Sequence, residues 1–195
     1  MRDRVILDLC GGTGSWSAPY RDASYTVIVV DPLAGNNPMT VADWLRANPS
    51  PEPIHGVLAA PPCTHFSGSG ARWWPAKDAD GRTSESCQVV RDCLEVVRRT
   101  RPTWWALENP VGRMRRLVPE VGGVVLQFDP CDYGDPYTKR TQLFGRFTLP
   151  VRSPVAITHA RGSSPIHRAA PGPDRWRIRS KTPAGFARAF FEANP

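Results

Sequence analysis

Short apolar runs, each closed by glycine or proline, divide this 195-residue chain. Val5-Ile6-Leu7-Asp8-Leu9 has the pattern of a buried strand and runs directly into Gly11, Gly12 and Gly14. Ser15 to Arg21 has room for a short helix, although Pro19 falls inside it. Tyr25 to Val30 is β-branched and apolar, a second strand that closes on Asp31-Pro32. Thr40 to Ala47 reads as a helix. Gly56 to Ala60 is a third strand, stopped by Pro61-Pro62. The best-marked helix spans Ser84 to Arg101. Val90, Cys93, Leu94 and Val97 recur at helical spacing there, with Arg91, Asp92, Glu95, Arg98 and Arg99 on the other face. Pro102 ends it. Thr103 to Leu107 is a strand that ends in Glu108-Asn109-Pro110. Val124 to Phe128 and Gln142 to Phe147 are further strands. A last helix follows Thr182-Pro183, with Phe186, Ala187, Phe190 and Phe191 on its apolar side.

A strand, a glycine turn and a helix, followed by alternating strands and helices, predict a doubly wound α/β sheet with helices on both faces. The length fits one domain over 1–195, large enough to bury about 70% of its unfolded surface without disulfide or metal. Two segments break the alternation. Gly68 to Arg82 reads as a long mobile loop, and loops of that length are usually functional or disordered. Leu149 to Ser180 has no period and is rich in Pro, Gly and Arg.

Composition narrows the class. No apolar run approaches the ~18 residues of a membrane span. Met1-Arg2-Asp3-Arg4 lacks a signal-peptide layout. The five cysteines form no CxxC pair and no metal-ligand spacing. The expectation is a cytoplasmic protein with reduced thiols, without metal or membrane partner. Charge is unevenly spread. Residues up to Thr138 carry net −2, whereas the last 57 residues carry net +9. That asymmetry suits a polyanion surface, although a merely solvated basic tail has the same composition.

Three constellations hold the candidate chemistry. In Asp8-Leu9-Cys10-Gly11-Gly12-Thr13-Gly14, glycines after a first strand let a ligand approach the backbone. Asp31, at the end of the second strand, suits a ribose diol. The spacing is not GxGxxG, which disfavours a nicotinamide or flavin enzyme, and such turns also serve chain reversal alone. In Pro61-Pro62-Cys63-Thr64-His65-Phe66-Ser67, a cysteine sits on a rigid turn where open α/β sheets bind ligands. An exposed, electropositive setting there would make it a nucleophile. Glu108-Asn109 would bring a carboxylate to the same edge.

Together, DLCGGTG, PPCTHFS, LENP and CDYGDPYTKRTQLFG resemble the DNA cytosine-C5 methyltransferases in order and spacing, over residues 5 to 145. The resemblance implies a Rossmann-like sheet, S-adenosyl-L-methionine as methyl donor and S-adenosyl-L-homocysteine as product. It implies that Cys63 is the catalytic thiol and that Glu108 holds ring nitrogen 3 and the exocyclic amine of cytosine. Lys139 or Arg140 would support the cytosine carbonyl. The cofactor pocket would take Asp8, Leu9, Gly12, Gly14, Asp31, Pro32, Asp43 and Pro61. Several positions depart from the family's usual pattern. Asp31-Pro32 stands where a Glu before an aromatic residue is usual, and Thr64 replaces Gln. Pro110 replaces Val, and Tyr137-Thr138-Lys139-Arg140-Thr141 replaces a Gln-x-Arg-x-Arg pattern.

The chemistry accounts for these residue types. Carbon 5 of cytosine is a poor nucleophile, and a thiolate added at carbon 6 makes it enamine-like. A carboxyl at ring nitrogen 3 stabilises the charge so created. A base inside a duplex must be flipped out or be single-stranded to be reached. Ser67, Arg72, Trp73, Trp74 and Lys77 lie where the family has its mobile loop and would contact nucleic acid. The family also carries a large target-recognition region. Here only the basic segment 146–181 stands in that place, shorter than the ~40 residues of a minimal domain. It includes Arg175, Arg177 and Arg179 and has neither Asn nor Gln. A phosphate clamp of low sequence specificity, on a monomeric enzyme, is the expectation. The alternatives are a methyltransferase of free cytosine nucleotides such as deoxycytidylate, an RNA substrate, or a catalytically silent DNA-binding subunit.

Overall fold

The computed structural model describes residues 4–35, 38–160, 164–168, 172 and 175–195, with backbone alone at 165, 167 and 176. Among these residues six strands make one sheet: β1 (Val5–Leu9), β2 (Thr26–Val30), β3 (Gly56–Ala59), β4 (Trp104–Pro110), β5 (Leu126–Phe128) and β6 (Thr141–Arg146). Their order is β2-β1-β3-β4-β6-β5. The first four are parallel, while β6 runs antiparallel to both β4 and β5. The helices are α1 (Ala18–Asp22), α2 (Val41–Ala47), α3 (Trp74–Ala79), α4 (Arg82–Thr100), α5 (Met114–Leu117), α6 (Pro165–Arg168), α7 (Arg175–Ser180) and α8 (Ala184–Ala193).

Side-chain alternation along the strands decides what covers each face. Leu7, Leu9, Val57, Ala59 and Leu107 pack on one side with Val41, Trp44 and Leu45 of α2 and Val90, Cys93 and Val96 of α4. Ile6, Leu58 and Ala106 point the other way, onto Trp16, Tyr20 and the Phe186, Ala187 and Phe190 side of α8. Phe186 stacks on Phe128 with ring centroids 4.0 Å apart. A buried phenylalanine of this kind is worth roughly 3–5 kcal/mol against alanine. Helices on both faces of a mostly parallel sheet are the architecture that the alternation predicts.

Most element limits shift by one to three residues from the sequence expectation. The first helix starts later, at Ala18, and β5 starts at Leu126. Thr40 caps α2 rather than joining it, accepting from the Asp43 amide while Asp43 accepts from Thr40 N–H. Two expectations need correction. Gly68 to Arg82 is not an irregular loop. A 3-10 turn over Gly68–Trp73 runs into α3, with a proline in its first turn, where the missing N–H costs nothing. Within the aperiodic Leu149 to Ser180 stretch, α6 and α7 form. Both segments are too short or too polar to show a period, and tertiary contacts hold the first of them.

The parallel register sets the carboxyl ends of β1, β3 and β4 side by side: Leu9 pairs with Ala59, and Ala59 with Leu107. Cys10 N–H donates to Val30 O at 2.8 Å and Ala60 N–H to Leu9 O at 2.9 Å, which continues that alignment past the strands. The glycine turn, Asp31, the Pro-Pro-Cys turn and Glu108 therefore share one edge. Among the described residues no helix is long and apolar enough to cross a membrane.

Candidate active site

The glycine turn lies directly on Asp8. A Cβ at Gly11 would fall 2.4 Å from the Asp8 carboxyl carbon, so only glycine fits there. Gly11 was absent from the sequence-derived site, although it stands in the same motif. Asp8 is buried and accepts from Ser17 Oγ at 2.5 Å. Arg21 spans the same turn, donating to Gly14 O at 2.7 Å and Ser17 Oγ at 3.0 Å. Burial raises the Asp8 pKa from 3.8 to about 6. Among the described residues its buried Oδ1 has no hydrogen-bond partner. Gly11 packs straight onto this carboxylate, so Asp8 supports the glycine turn from beneath.

Asp31 closes the turn from the β2 side. Its Oδ2 accepts from Gly12 N–H at 2.9 Å and its Oδ1 from Leu33 N–H at 2.7 Å. Each oxygen keeps acceptor capacity for a diol. Pro32 is exposed beside it. Leu9 is fully buried, so its backbone rather than its side chain borders the turn. Pro61 is buried and its carbonyl accepts from Asn109 Nδ2 at 3.3 Å. The Asp43 carboxylate caps its own helix through Thr40 and pairs with Arg46.

Cys63 ends the Pro-Pro turn, and its carbonyl accepts from Phe66 N–H at 3.0 Å and Ser67 N–H at 2.9 Å. Phe66 is fully buried and anchors the turn. The thiol is reachable by solvent, yet protein surrounds it closely. That crowding, and then the nearby Glu108, push its pKa up, while Lys139 and Arg179 pull it down. Burial likewise raises the Glu108 pKa, with Lys139 opposing. One cation thus acts on both candidate catalytic groups. His65 turns away: its Nδ1 lies 2.5 Å from Ser86 Oγ on α4.

The structure separates Lys139 from Arg140, which the sequence left open. Arg140 pairs with Asp129 at 2.7 Å, leaving Lys139 as the residue whose charge reaches Cys63 and Glu108. Arg179 joins this group as well, a placement that a basic segment without periodicity gave no sign of. Arg175 is half-buried, and Arg177 is exposed and engaged in a further contact.

The segment after Cys63 is partly reassigned. Trp73 is 55% exposed with the Arg72 guanidinium 5.0 Å from its ring centre. Trp74 instead lies under Arg113, at 4.5 Å, and is a packing residue. Lys77 donates to Thr64 O at 2.7 Å, which fastens α3 to the Cys63 turn. Ser67 pairs as an isolated bridge with Gly112 and shares a hydrogen bond with Ser69. Two surface hollows, one beside Trp104 and Asn194 and one beside Pro19 and Arg188, lie away from this edge. Among the described residues no group of His, Cys, Asp or Glu is arranged to hold a metal ion.

No protein-family model matches the chain, and no curated protein matches it. Solved structures do. One is an E. coli protein encoded within a prophage and described as a candidate DNA modification methyltransferase. It aligns with a TM-score of 0.49 and 20% identity, over 74% of this chain and 47% of its own. Another is the Entamoeba histolytica methyltransferase EhMeth, with a TM-score of 0.47 and 12% identity, over 88% of this chain and 61% of its own. The chain therefore spans about half and about three fifths of the length of these two proteins.

Proposed function

We propose that this chain transfers a methyl group from S-adenosyl-L-methionine to carbon 5 of cytosine in DNA, through a covalent adduct at Cys63. The observation that carries the reading is the meeting of Cys63, Glu108 and Lys139 at one sheet edge, beside the glycine turn of β1. Asp8, Gly12, Gly14 and Asp31 would hold the methyl donor, whose sulfonium supplies an electrophilic methyl group when bound. The Asp31 carboxylate, which keeps acceptor capacity beside the turn, is the feature that fits its ribose diol.

The chain's own residues then divide the work. Cys63 gives up its proton to solvent water and its sulfur adds to carbon 6 of the base, which moves electron density to carbon 5. Glu108, with its raised pKa, is suited to carry a proton to ring nitrogen 3 as that density builds. Lys139 offsets the negative charge of the thiolate before addition and of the base after it. Carbon 5 then loses its proton to a solvent water, the thiolate leaves as the 5,6 double bond re-forms, and the proton on ring nitrogen 3 returns to Glu108. The basic 146–181 segment supplies phosphate contacts, and the whole of 1–195 acts as one methyltransferase domain.

Methyl transfer from labelled cofactor should be compared on duplex DNA, single-stranded DNA, tRNA and deoxycytidylate. Label in DNA at carbon 5 of cytosine supports the reading. Label confined to deoxycytidylate or tRNA, or in none of the four, rejects it.

A further inference from the structure

Arg113 is only 5% exposed and follows Glu108 by five residues. Its Nε donates to His65 O at 3.0 Å, two residues beyond Cys63. Its Nη1 and Nη2 grip both oxygens of Asp78 on α3, each at 2.7 Å, and Nη2 also reaches Thr83 Oγ1 on α4 at 3.0 Å. Trp74 packs against the guanidinium face. Between them the arms of this fork reach three pieces of chain: the Cys63 turn, α3 and α4. A lysine has the charge but not the planar fork.

The backbone beneath Arg113 is equally committed. Arg113 N–H donates to Phe66 O at 3.0 Å, and Gly68 N–H to Val111 O at 3.1 Å. A Cβ at Gly112 would sit 1.9 Å from Phe66 O, so the two strips of chain touch too closely for any side chain. Asn109 adds its bond to Pro61 O. The chain leaving Glu108 is thus laced, residue by residue, to the chain surrounding Cys63.

We propose that Arg113 is a positioning residue: it fixes the Cys63 turn and α3 against the strand that carries Glu108, and Asp78 holds its guanidinium in place. Its effect on catalysis rests on the proposed function, while the clamp itself does not. Thiol and carboxyl reach the same base only if their separation is set, and a misplacement of about 1 Å can cost a hundredfold in rate. The Asp78 carboxylate is half-exposed, and its bonds from Arg113 lower its pKa to about 2. The pair therefore persists across the physiological pH range. The same clamp explains why the segment after Cys63 is helical rather than loose.

The test compares Asp78→Asn, Arg113→Lys and wild type, each checked for folding by circular dichroism. Asp78→Asn alters a half-exposed partner and keeps a folded variant in hand if the buried substitution unfolds the protein. Cys63 alkylation by iodoacetamide is followed by peptide mass spectrometry, with Cys10 as internal reference. Loosening the turn hydrates the thiol and moves it from Glu108. Cys63 alkylation at neutral pH should then rise at least threefold over the Cys10 rate. The turnover number for methyl transfer should fall about tenfold or more, with the KM for cofactor unchanged. Unchanged Cys63 alkylation in folded Asp78→Asn would overturn the clamp, even if the wild type methylates DNA. A wild type that methylates nothing, with alkylation still shifted, would reject the proposed function and leave the clamp standing.

Discussion

Arg140 donates from Nε to Asp129 Oδ2 at 2.7 Å, which turns it away from the thiol that its neighbour Lys139 influences. Under the proposed function these two adjacent basic residues take different duties. Lys139→Met should lower the turnover number for cytosine methylation roughly a hundredfold or more, the scale of losing one preorganised charge at a reacting centre. Arg140→Met removes an ion pair whose arginine is exposed and whose Asp129 is buried, so its cost should fall on stability, with turnover within about threefold. Steady-state kinetics of the two variants decide the assignment. A reversed order would place Arg140 on the base.

The thiol's charge environment gives a prediction that needs no substrate. Cys63 should ionise above an ordinary cysteine, because burial and Glu108 both raise its pKa. Glu108→Gln removes a negative neighbour and should lower the pH midpoint of Cys63 alkylation. Lys139→Met removes a positive one and should raise it. Midpoints that do not move, or that move the other way, would show that these groups do not share an electrostatic site.

Asp8 predicts a pH dependence of stability. Its folded pKa of about 6 lies above the unfolded value of 3.8. The folded state therefore holds the proton more tightly, and keeping Asp8 ionised in the fold is a cost that appears as pH rises. Relative to Asp8→Asn, the wild type should lose stability between about pH 4 and pH 6, by at most about 3 kcal/mol. Above that range the difference should be flat. Thermal melts of both proteins from pH 4 to pH 8 check the sign. A wild type that gains on the variant across this window would contradict the burial argument.

Arg175, Arg177 and Arg179 should matter chiefly for nucleic-acid affinity. Replacing all three with Met should weaken binding to unrelated duplexes alike and reduce the salt slope by up to about three units, one for each phosphate lost. Arg179→Met alone should also raise the alkylation midpoint of Cys63, since its charge opposes the rise. Fluorescence anisotropy against salt measures the first effect. Unchanged DNA affinity in the triple variant, with efficient methylation of deoxycytidylate, would favour a nucleotide enzyme.

Local patterns carried most of the fold. The β-branched runs and the Val90–Cys93–Val97 stripe mark buried surfaces that need no partner to be recognised. The alternation of strand and helix then makes β1 to β4 parallel neighbours, so the motif residues Asp8, Asp31, Cys63 and Glu108 arrive at one edge. Other residues are set by distant contacts. Asp78 and Arg113 are 35 positions apart, and nothing in either neighbourhood marks them as a pair. For the same reason Gly68 to Arg82 looked loose: its helix depends on Lys77 reaching Thr64 and on Trp74 under Arg113. At Asp43 an acid three residues after a threonine fits a helix cap as well as a ligand pocket, and the capping box is what forms. The Gly112-Arg113 pair, lying immediately beyond Glu108-Asn109-Pro110-Val111, was the available sign of the clamp.

The central claim is that Cys63 forms a covalent bond to cytosine during methyl transfer. Duplex DNA containing 5-fluorocytosine, incubated with the protein and S-adenosyl-L-methionine, measures this directly, because fluorine at carbon 5 cannot leave as a proton and the adduct stays closed. Denaturing electrophoresis and peptide mass spectrometry should show one DNA strand per chain, attached at Cys63. The adduct should depend on cofactor and be absent from Cys63→Ser. DNA that is methylated by wild type with no trapped adduct, or an adduct at another cysteine, would contradict the account.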